Sequence, residues 1–180
     1  EIVERNNDSA NIFINGVCVA HEPNFLFSYN ITSLTKQLKK ALNRERTNVG
    51  RTAYKDRVEQ ILCDCEERIV VDALIRDLLM YSKGEMHDEM EWGNVKTHTA
   101  ALLARRQNND VVFVTSKTVI ENPSLIDEIQ RSGKNIVTVP ENIEKRINTE
   151  IPEALTANRF KENMISNLKI EFISPQELSA

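Results

Sequence analysis

Asp110-Val111-Val112-Phe113-Val114-Thr115, then a helix-like stretch over 123–132 that opens on Pro123 and stops at Gly133, then Asn135-Ile136-Val137-Thr138-Val139: this series decides the fold class of the 180-residue chain. An apolar run of β-branched and aromatic residues, short and bounded by polar groups, has the make-up of a strand buried on both faces. Proline fits the first turn of a helix, where its missing N–H is not needed, and glycine fits a helix end. Strand, helix and strand in so short a span imply parallel strands joined by a right-handed crossover. A helix over 94–107 leads into this unit. A helix after Pro152 to about Asn167 and a last strand, Leu168-Lys169-Ile170-Glu171-Phe172-Ile173, follow it. The expectation is an α/β fold, helices around a mostly parallel sheet, in a single domain over 1–180.

Toward the N-terminus, Asn11-Ile12-Phe13-Ile14 and Val17-Cys18-Val19-Ala20 flank Asn15-Gly16. An Asn-Gly pair between such runs predicts a β-hairpin, because both turn residues must accept positive φ. The stretch 21–30, with Pro23, Phe25, Leu26, Phe27 and Tyr29, reads as a packed loop. Thr32 or Ser33 then caps a helix to about Arg46, with Leu34, Leu38, Ala41 and Leu42 as its apolar stripe and Lys36, Lys39 and Lys40 opposite. A second helix after Thr52 lines up Tyr54, Val58, Ile61, Leu62 and Cys65. A third, over 69–81, carries Val71, Leu74, Ile75 and Leu78 at helical spacing.

A composition of 41% hydrophobic and 28% charged residues is that of a soluble globular domain, and five Gly and five Pro exclude a collagen-like or low-complexity chain. No apolar run approaches the ~18 residues of a membrane span. Three cysteines, Cys18, Cys63 and Cys65, make no disulfide framework and point to an intracellular location, cytoplasmic or nuclear. The chain opens at Glu1 without a methionine, as a domain cut from a longer protein would.

The net charge of −4 is unevenly spread. Between residues 36 and 57 stand Lys36, Lys39, Lys40, Arg44, Arg46, Arg51, Lys55 and Arg57 against Glu45 and Asp56, a net of +6. Residues 59–91 hold ten carboxylates against three basic side chains, a net of −7. Such blocks serve as solvated helix faces, steer an anionic ligand, or pair with each other or with a second protein.

No G-x-G-x-x-G, Walker-type or G-x-S-x-G signature is present, which argues against nucleotide-dependent kinases and Rossmann dehydrogenases. Cys63-Asp64-Cys65 does not read as a metal pair, because neighbours two apart on a helix point about 200° away from each other. Cys65 falls on the apolar stripe and Cys63 on the outer face. The segment Glu85-Met86-His87-Asp88-Glu89-Met90-Glu91 gathers four carboxylates and an imidazole. It suits a hard cation, Mn²⁺ or Zn²⁺ with the histidine included, or the positive end of a following helix. His98 sits at the edge of an apolar stripe.

Gly93-Asn94-Val95-Lys96-Thr97-His98-Thr99-Ala100-Ala101-Leu102-Leu103-Ala104, followed by Asn109-Asp110-Val111-Val112-Phe113-Val114-Thr115-Ser116-Lys117, resembles the second half of a PIN-like nuclease domain. In that family a helix opened by an acidic signature leads into a strand ending in T-x-D. The closing Ile170-Glu171-Phe172-Ile173-Ser174-Pro175-Gln176-Glu177-Leu178 is similar to the family's last strand and its P-x-E ending. The resemblance implies phosphodiester hydrolysis with one or two Mg²⁺ or Mn²⁺ ions held by convergent carboxylates. Carried over by position, the family's acids fall at Asn15, Asp77, Asn94 and Ser116 or Lys117, of which Asp77 alone is a carboxylate. Glu91 is near enough to Asn94 to substitute. Asp77 and Glu91 are therefore the candidate catalytic and metal-binding residues, in a site expected to be degenerate or absent.

Two functions follow as expectations. One is a nucleic-acid-associated domain that contacts RNA or DNA through Lys36, Lys39, Lys40, Arg44 and Arg46. The other is a non-enzymatic interaction module, its basic block facing the acidic block of a protein partner or of another copy. Neither involves a membrane.

Overall fold

The computed structural model describes residues 1–5, 9–44 and 49–167. Within them the chain is mixed α/β, with eight α-helices and two small sheets, one mixed and one all-parallel.

The first sheet is built from β1 (Ile2–Val3), β2 (Ala10–Ile14), β3 (Val17–Glu22) and β4 (Ser28–Ile31), in the order β1-β4-β2-β3. β2 and β3 form the expected hairpin, with Asn15 at φ 48° and Gly16 at φ 80° in the turn. Alternation buries Ala10, Ile12 and Ile14 on one side of β2. The ladder shifts register between Ile12 and Phe13, which leaves Val19 as the extra residue of a bulge. A bulge offsets the two-residue period, so Val19 and Ala20 are both buried. β4 pairs parallel with β2 and antiparallel with β1. Both strands lie where a loop, or nothing, was expected. They are short, β4 carries Ser28 and Asn30, and each gains its ladder from a partner remote in sequence.

α1 (Lys36–Arg44) begins later than the composition suggested: its first turn is capped by Thr35, whose Oγ1 accepts from the Leu38 N–H at 3.1 Å, rather than by Thr32 or Ser33. α2 (Arg51–Cys63) buries Tyr54, Val58 and Leu62, and Cys65 lies past its end. α3 (Arg68–Leu79) follows, then 3-10 turns at Tyr81–Lys83 and Asp88–Glu91, then α4 (Gly93–Arg106).

The second sheet holds β5 (Val111–Val114), β6 (Asn135–Thr138) and β7 (Leu155–Thr156) in the order β6-β5-β7, every pair parallel. α5 (Ser116–Glu121) and α6 (Pro123–Arg131) connect β5 to β6, and α7 (Glu141–Glu150) connects β6 to β7. α8 (Ala157–Asn167) closes the described chain. The strands at β5 and β6 and the helix opened by Pro123 stand where the sequence placed them. α5, α7 and β7 are additional. α7 reads as polar because it buries only Ile143 and Ile147. The expected strand over 168–173 lies outside the described residues.

The fold is thus not one mostly parallel sheet. The hairpin pairs with β4 and through it with β1, so the N-terminal strands make a sheet of their own. One hydrophobic cluster joins both regions, running from Ile12, Ile31 and Leu62 through Leu78, Trp92 and Leu103 to Phe113. The other face of β5 presents Val112 and Val114 to Leu125, Ile129, Ala157 and Phe160.

Candidate functional site

The basic block resolves into an exposed helix face and an ion-paired part. On α1, Leu38 is buried and Leu34, Ala41 and Leu42 pack against the core, so Lys36, Lys39, Lys40 and Arg44 are left exposed. Lys36, Lys39 and Lys40 enter no ion pair among the described residues. A groove of about 320 Å³ separates α1 from the first turn of α2 and is lined by Gln37, Lys40, Arg44, Gly50 and Thr52. Arg46, expected on the same face, lies outside the described residues.

Arg51 and Lys55, further along the block, are instead tied to carboxylates. Arg51 donates through Nε to Glu22 Oε1 at 3.0 Å, pairs with Glu22 Oε2 at 2.5 Å and reaches Asp88 Oδ2 at 2.8 Å. Its guanidinium also lies 5.0 Å from the centre of the Phe25 ring, a cation–π contact. The Tyr54 hydroxyl donates to the same Glu22, and burial together with that carboxylate pushes the phenol well above its ordinary range. Lys55 pairs with Glu59 at 3.6 Å and stands over Trp92. Arg51, Lys55 and Glu59 are spaced four apart, so they form a row along α2 beside its buried stripe.

The acidic segment is taken apart residue by residue. Asp77, 5% exposed near the end of α3, accepts from the His87 backbone N–H at 3.1 Å and from its ring Nδ1 at 2.7 Å. Asp88 holds Arg51 and accepts from Asn24 Nδ2 at 2.6 Å. Glu89, 1% exposed, accepts from the N–H groups of Leu26 and Phe27 and from the Tyr29 hydroxyl. Its burial raises its pKa against the lowering effect of those hydrogen bonds. Glu85 and Glu91 are exposed. Lys96, buried and stacked 5.1 Å from the Tyr81 ring, is pushed down by burial and partly held up by Glu91. Asp88 and Glu89 therefore serve different partners while Glu85 and Glu91 stand exposed, and no group of three or more His, Cys, Asp or Glu side chains able to hold a metal exists among the described residues.

Asn94, the position at which an acid was sought, donates to Glu59 Oε2 at 2.6 Å. Cys63 is half-buried rather than outward, and burial beside Glu59 and Asp64 raises its thiol pKa. Cys18, Cys63 and Cys65 are all free thiols. His98 is pushed down by burial, and its Nε2 is enclosed without a partner among the described residues. Glu22, Glu89 and the pairing of His87 with Asp77 were not found from the sequence.

Residues 1–68 match a family model described as the Mycoplasma pneumoniae MPN635 N-terminal domain. Two proteins of Mycoplasma pneumoniae (strain ATCC 29342 / M129 / Subtype 1), each described as an uncharacterized protein, are similar to the chain. One is 42% identical over 60 residues, which is 33% of this chain and 24% of the relative; the other is 36% identical over 81 residues, which is 43% of this chain and 23% of the relative. The matches thus span about a quarter of each relative's length. No solved structure matches. These findings overturn the resemblance to PIN-like nucleases: the family that matches is a different one, and it matches the opposite half of the chain. The geometry agrees, since Asn15, the stand-in for a first-strand acid, occupies the turn of an antiparallel hairpin. The metal-binding role given to Asp77 and Glu91 rested on that likeness and goes no further.

Proposed function

We propose that this chain contacts nucleic acid through the exposed face of α1. The observation that carries the reading is that Lys36, Lys39 and Lys40 stand exposed on one short helix and unpaired among the described residues, whereas Arg51 and Lys55 of the same block are tied to carboxylates. Lysines without a carboxylate partner are free to displace counterions from phosphates, which is the main source of sequence-independent affinity. The groove between α1 and the start of α2 lies along the same face and brings Lys40 and Arg44 beside a helix N-terminus, whose partial positive charge favours anions. The α1 face and the groove both fall within the segment 1–68 that matches the Mycoplasma family.

The test is fluorescence anisotropy with labelled single-stranded RNA and DNA over a range of salt concentrations. The Lys36→Glu, Lys39→Glu, Lys40→Glu triple variant should bind more weakly at every salt concentration and flatten the log–log salt slope by about 2 to 3, since each phosphate contact contributes about 0.7 to 0.9. A wild-type slope near zero, or a triple variant with the wild-type slope, removes the reading.

A second reading, contact with a protein, is favoured by a different feature. A groove of about 750 Å³ beside β1 has Leu26, Phe27, Ile61 and Val70 in its lining and Ile69 78% exposed at its rim. Ile69 and the apolar side chains behind it form a strip that a protein contact would cover. Sedimentation of the wild type and of Ile69→Asp separates the two readings: self-association through this groove should disappear in the variant and leave nucleic-acid affinity unchanged.

A further inference from the structure

We propose that the groove beside β1 takes an extended peptide of alternating apolar and basic residues, which joins the first sheet as an added strand; the inference rests on the protein-contact reading of that groove given above. Among the described residues β1 is the terminal strand of its sheet and pairs with β4 alone. Glu1 and Asn30 exchange two backbone hydrogen bonds, each of 2.9 Å. In an antiparallel ladder such pairs alternate with pairs that exchange none. Ile2, opposite Tyr29, therefore turns its N–H and C=O away from β4. No other backbone bond reaches Ile2 among the described residues, so both groups are open to a further strand. The same stretch, Glu1 to Arg5, lines the groove of about 750 Å³, and α3 lines it through Ile69, Val70, Ala73 and Arg76. An open edge and an apolar groove lined by one strand are the two parts of recognition by strand addition. The edge supplies main-chain hydrogen bonds, and the groove receives every second side chain.

The charge around the groove names the kind of strand. β1 carries Glu1, Glu4 and Arg5, a short charged edge of the sort that resists indiscriminate pairing, so charge decides what is admitted. Glu4 and Glu67 both line the groove, are exposed, and enter no ion pair among the described residues. Of the arginines in the lining, Arg5 donates to the carbonyls of Phe25 at 3.0 Å and Pro23 at 2.8 Å. Arg76 donates through Nε to the Asp72 carbonyl at 3.3 Å, and it lies about 13 Å along α3 from Glu67 at about 1.5 Å per residue. The unpaired charge on β1 and at the N-cap of α3 is therefore acidic. It favours lysine or arginine on the incoming strand and rejects a carboxylate there. Alternation suits both demands. One set of side chains packs on Leu26, Phe27, Ile61 and the exposed Ile69, while the other set reaches the carboxylates at the rim.

The experiment titrates the whole chain into fluorescein-labelled peptides with blocked ends and reads anisotropy, with sedimentation on the same samples. The probes are Lys-Val-Lys-Ile-Lys-Val-Lys, its counterpart with glutamate in place of lysine, and two versions of the lysine peptide with backbone N-methyl groups, one at the apolar residues and one at the lysines. The lysine peptide should bind at least ~10-fold more tightly than the glutamate peptide. Only alternate residues of an added strand face the edge, so one methylated version should lose that affinity and the other should keep it. The Glu4→Lys, Glu67→Lys double variant should weaken binding about 10-fold or more, since it sets like charges against the peptide. Equal binding of the two methylated versions overturns strand addition and leaves the groove a protein contact of another kind. Equal affinity for the glutamate peptide, or an unaffected double variant, overturns the basic occupant. Self-association that Ile69→Asp abolishes and the lysine peptide does not displace assigns the groove to a second copy, which overturns this inference while the protein-contact reading stands. No peptide binding by a chain that stays monomeric overturns both.

Discussion

At the scale of single residues, the same amino-acid type does different work in neighbouring positions. Asp88 and Glu89 are adjacent, yet the first is bound to an arginine near the surface and the second is enclosed with two backbone N–H groups and a phenol. Deleting the Glu89 carboxylate leaves these donors without an acceptor, and each orphaned buried donor costs about 1–3 kcal/mol. Glu89→Ala should therefore lower stability to urea by about 3 kcal/mol, and a loss no larger than that of an exposed site such as Glu91→Ala would contradict the geometry. The pH dependence carries a definite sign. Burial raises the Glu89 pKa above its ordinary 4.5, so the folded state holds this proton more tightly than the unfolded one. The stabilisation it contributes is full below pH 4.5 and is lost as pH rises through the raised value. The urea midpoint of the wild type relative to Glu89→Gln should then shift in favour of the wild type as pH falls toward 4.5. A gap that is flat with pH would assign the residue an unshifted carboxyl.

At the scale of elements, local chemistry sufficed where an element is held by its own sequence and failed where it is held by a remote partner. The Asn15-Gly16 turn is the clearest success, because positive φ at two successive residues is a local demand. Nothing stands within 4 Å of a Cβ built on Gly16, so Gly16→Ala meets no clash and its cost is that of the backbone alone. That cost should be about 1 kcal/mol in a urea titration, the penalty for a side chain at left-handed φ. No loss would mean that the turn relaxes to another type. β5 and the helix opened by Pro123 were legible for the same reason, a continuous apolar run and a punctuating proline. β1, β4 and β7 were not: β1 and β7 are two residues long, β4 breaks its apolar run with Ser28 and Asn30, and all three exist through ladders to distant chain. α7, with two buried isoleucines among polar residues, falls below what a pattern of that length can signal.

At the scale of the whole molecule, the boundary of the family match and the boundary of the core do not coincide. The match ends at residue 68, where α3 begins. The core crosses that point: Phe25 packs edge-on to Trp92 at 5.4 Å, Arg51 reaches Asp88, and Asn94 holds Glu59. A fragment of residues 1–68 would lose the acceptor for the Leu26 and Phe27 N–H groups and expose Phe25 and Tyr29, which are both fully buried in the chain. Such a fragment should show no cooperative urea transition, whereas the whole chain should show one. A sigmoidal transition from the fragment would make the first 68 residues self-sufficient.

By itself the sequence determined the α/β class, the hairpin, the two main parallel strands, most of the helices and the lysine face of α1, because each of these depends on periodicity or on the conformational limits of one or two residues. Tertiary structure alone decided that there are two sheets, that Arg51 and Lys55 of the basic block are tied to carboxylates, and that Asp88 and Glu89 of the acidic segment go to Asn24 and Arg51 and to Leu26 and Tyr29 respectively. The reason is physical. Charge and hydropathy patterns state what a side chain needs, whereas which carboxylate meets which arginine, and whether Asp77 receives a metal or an imidazole, depends on where chain segments ten to sixty residues apart come to rest.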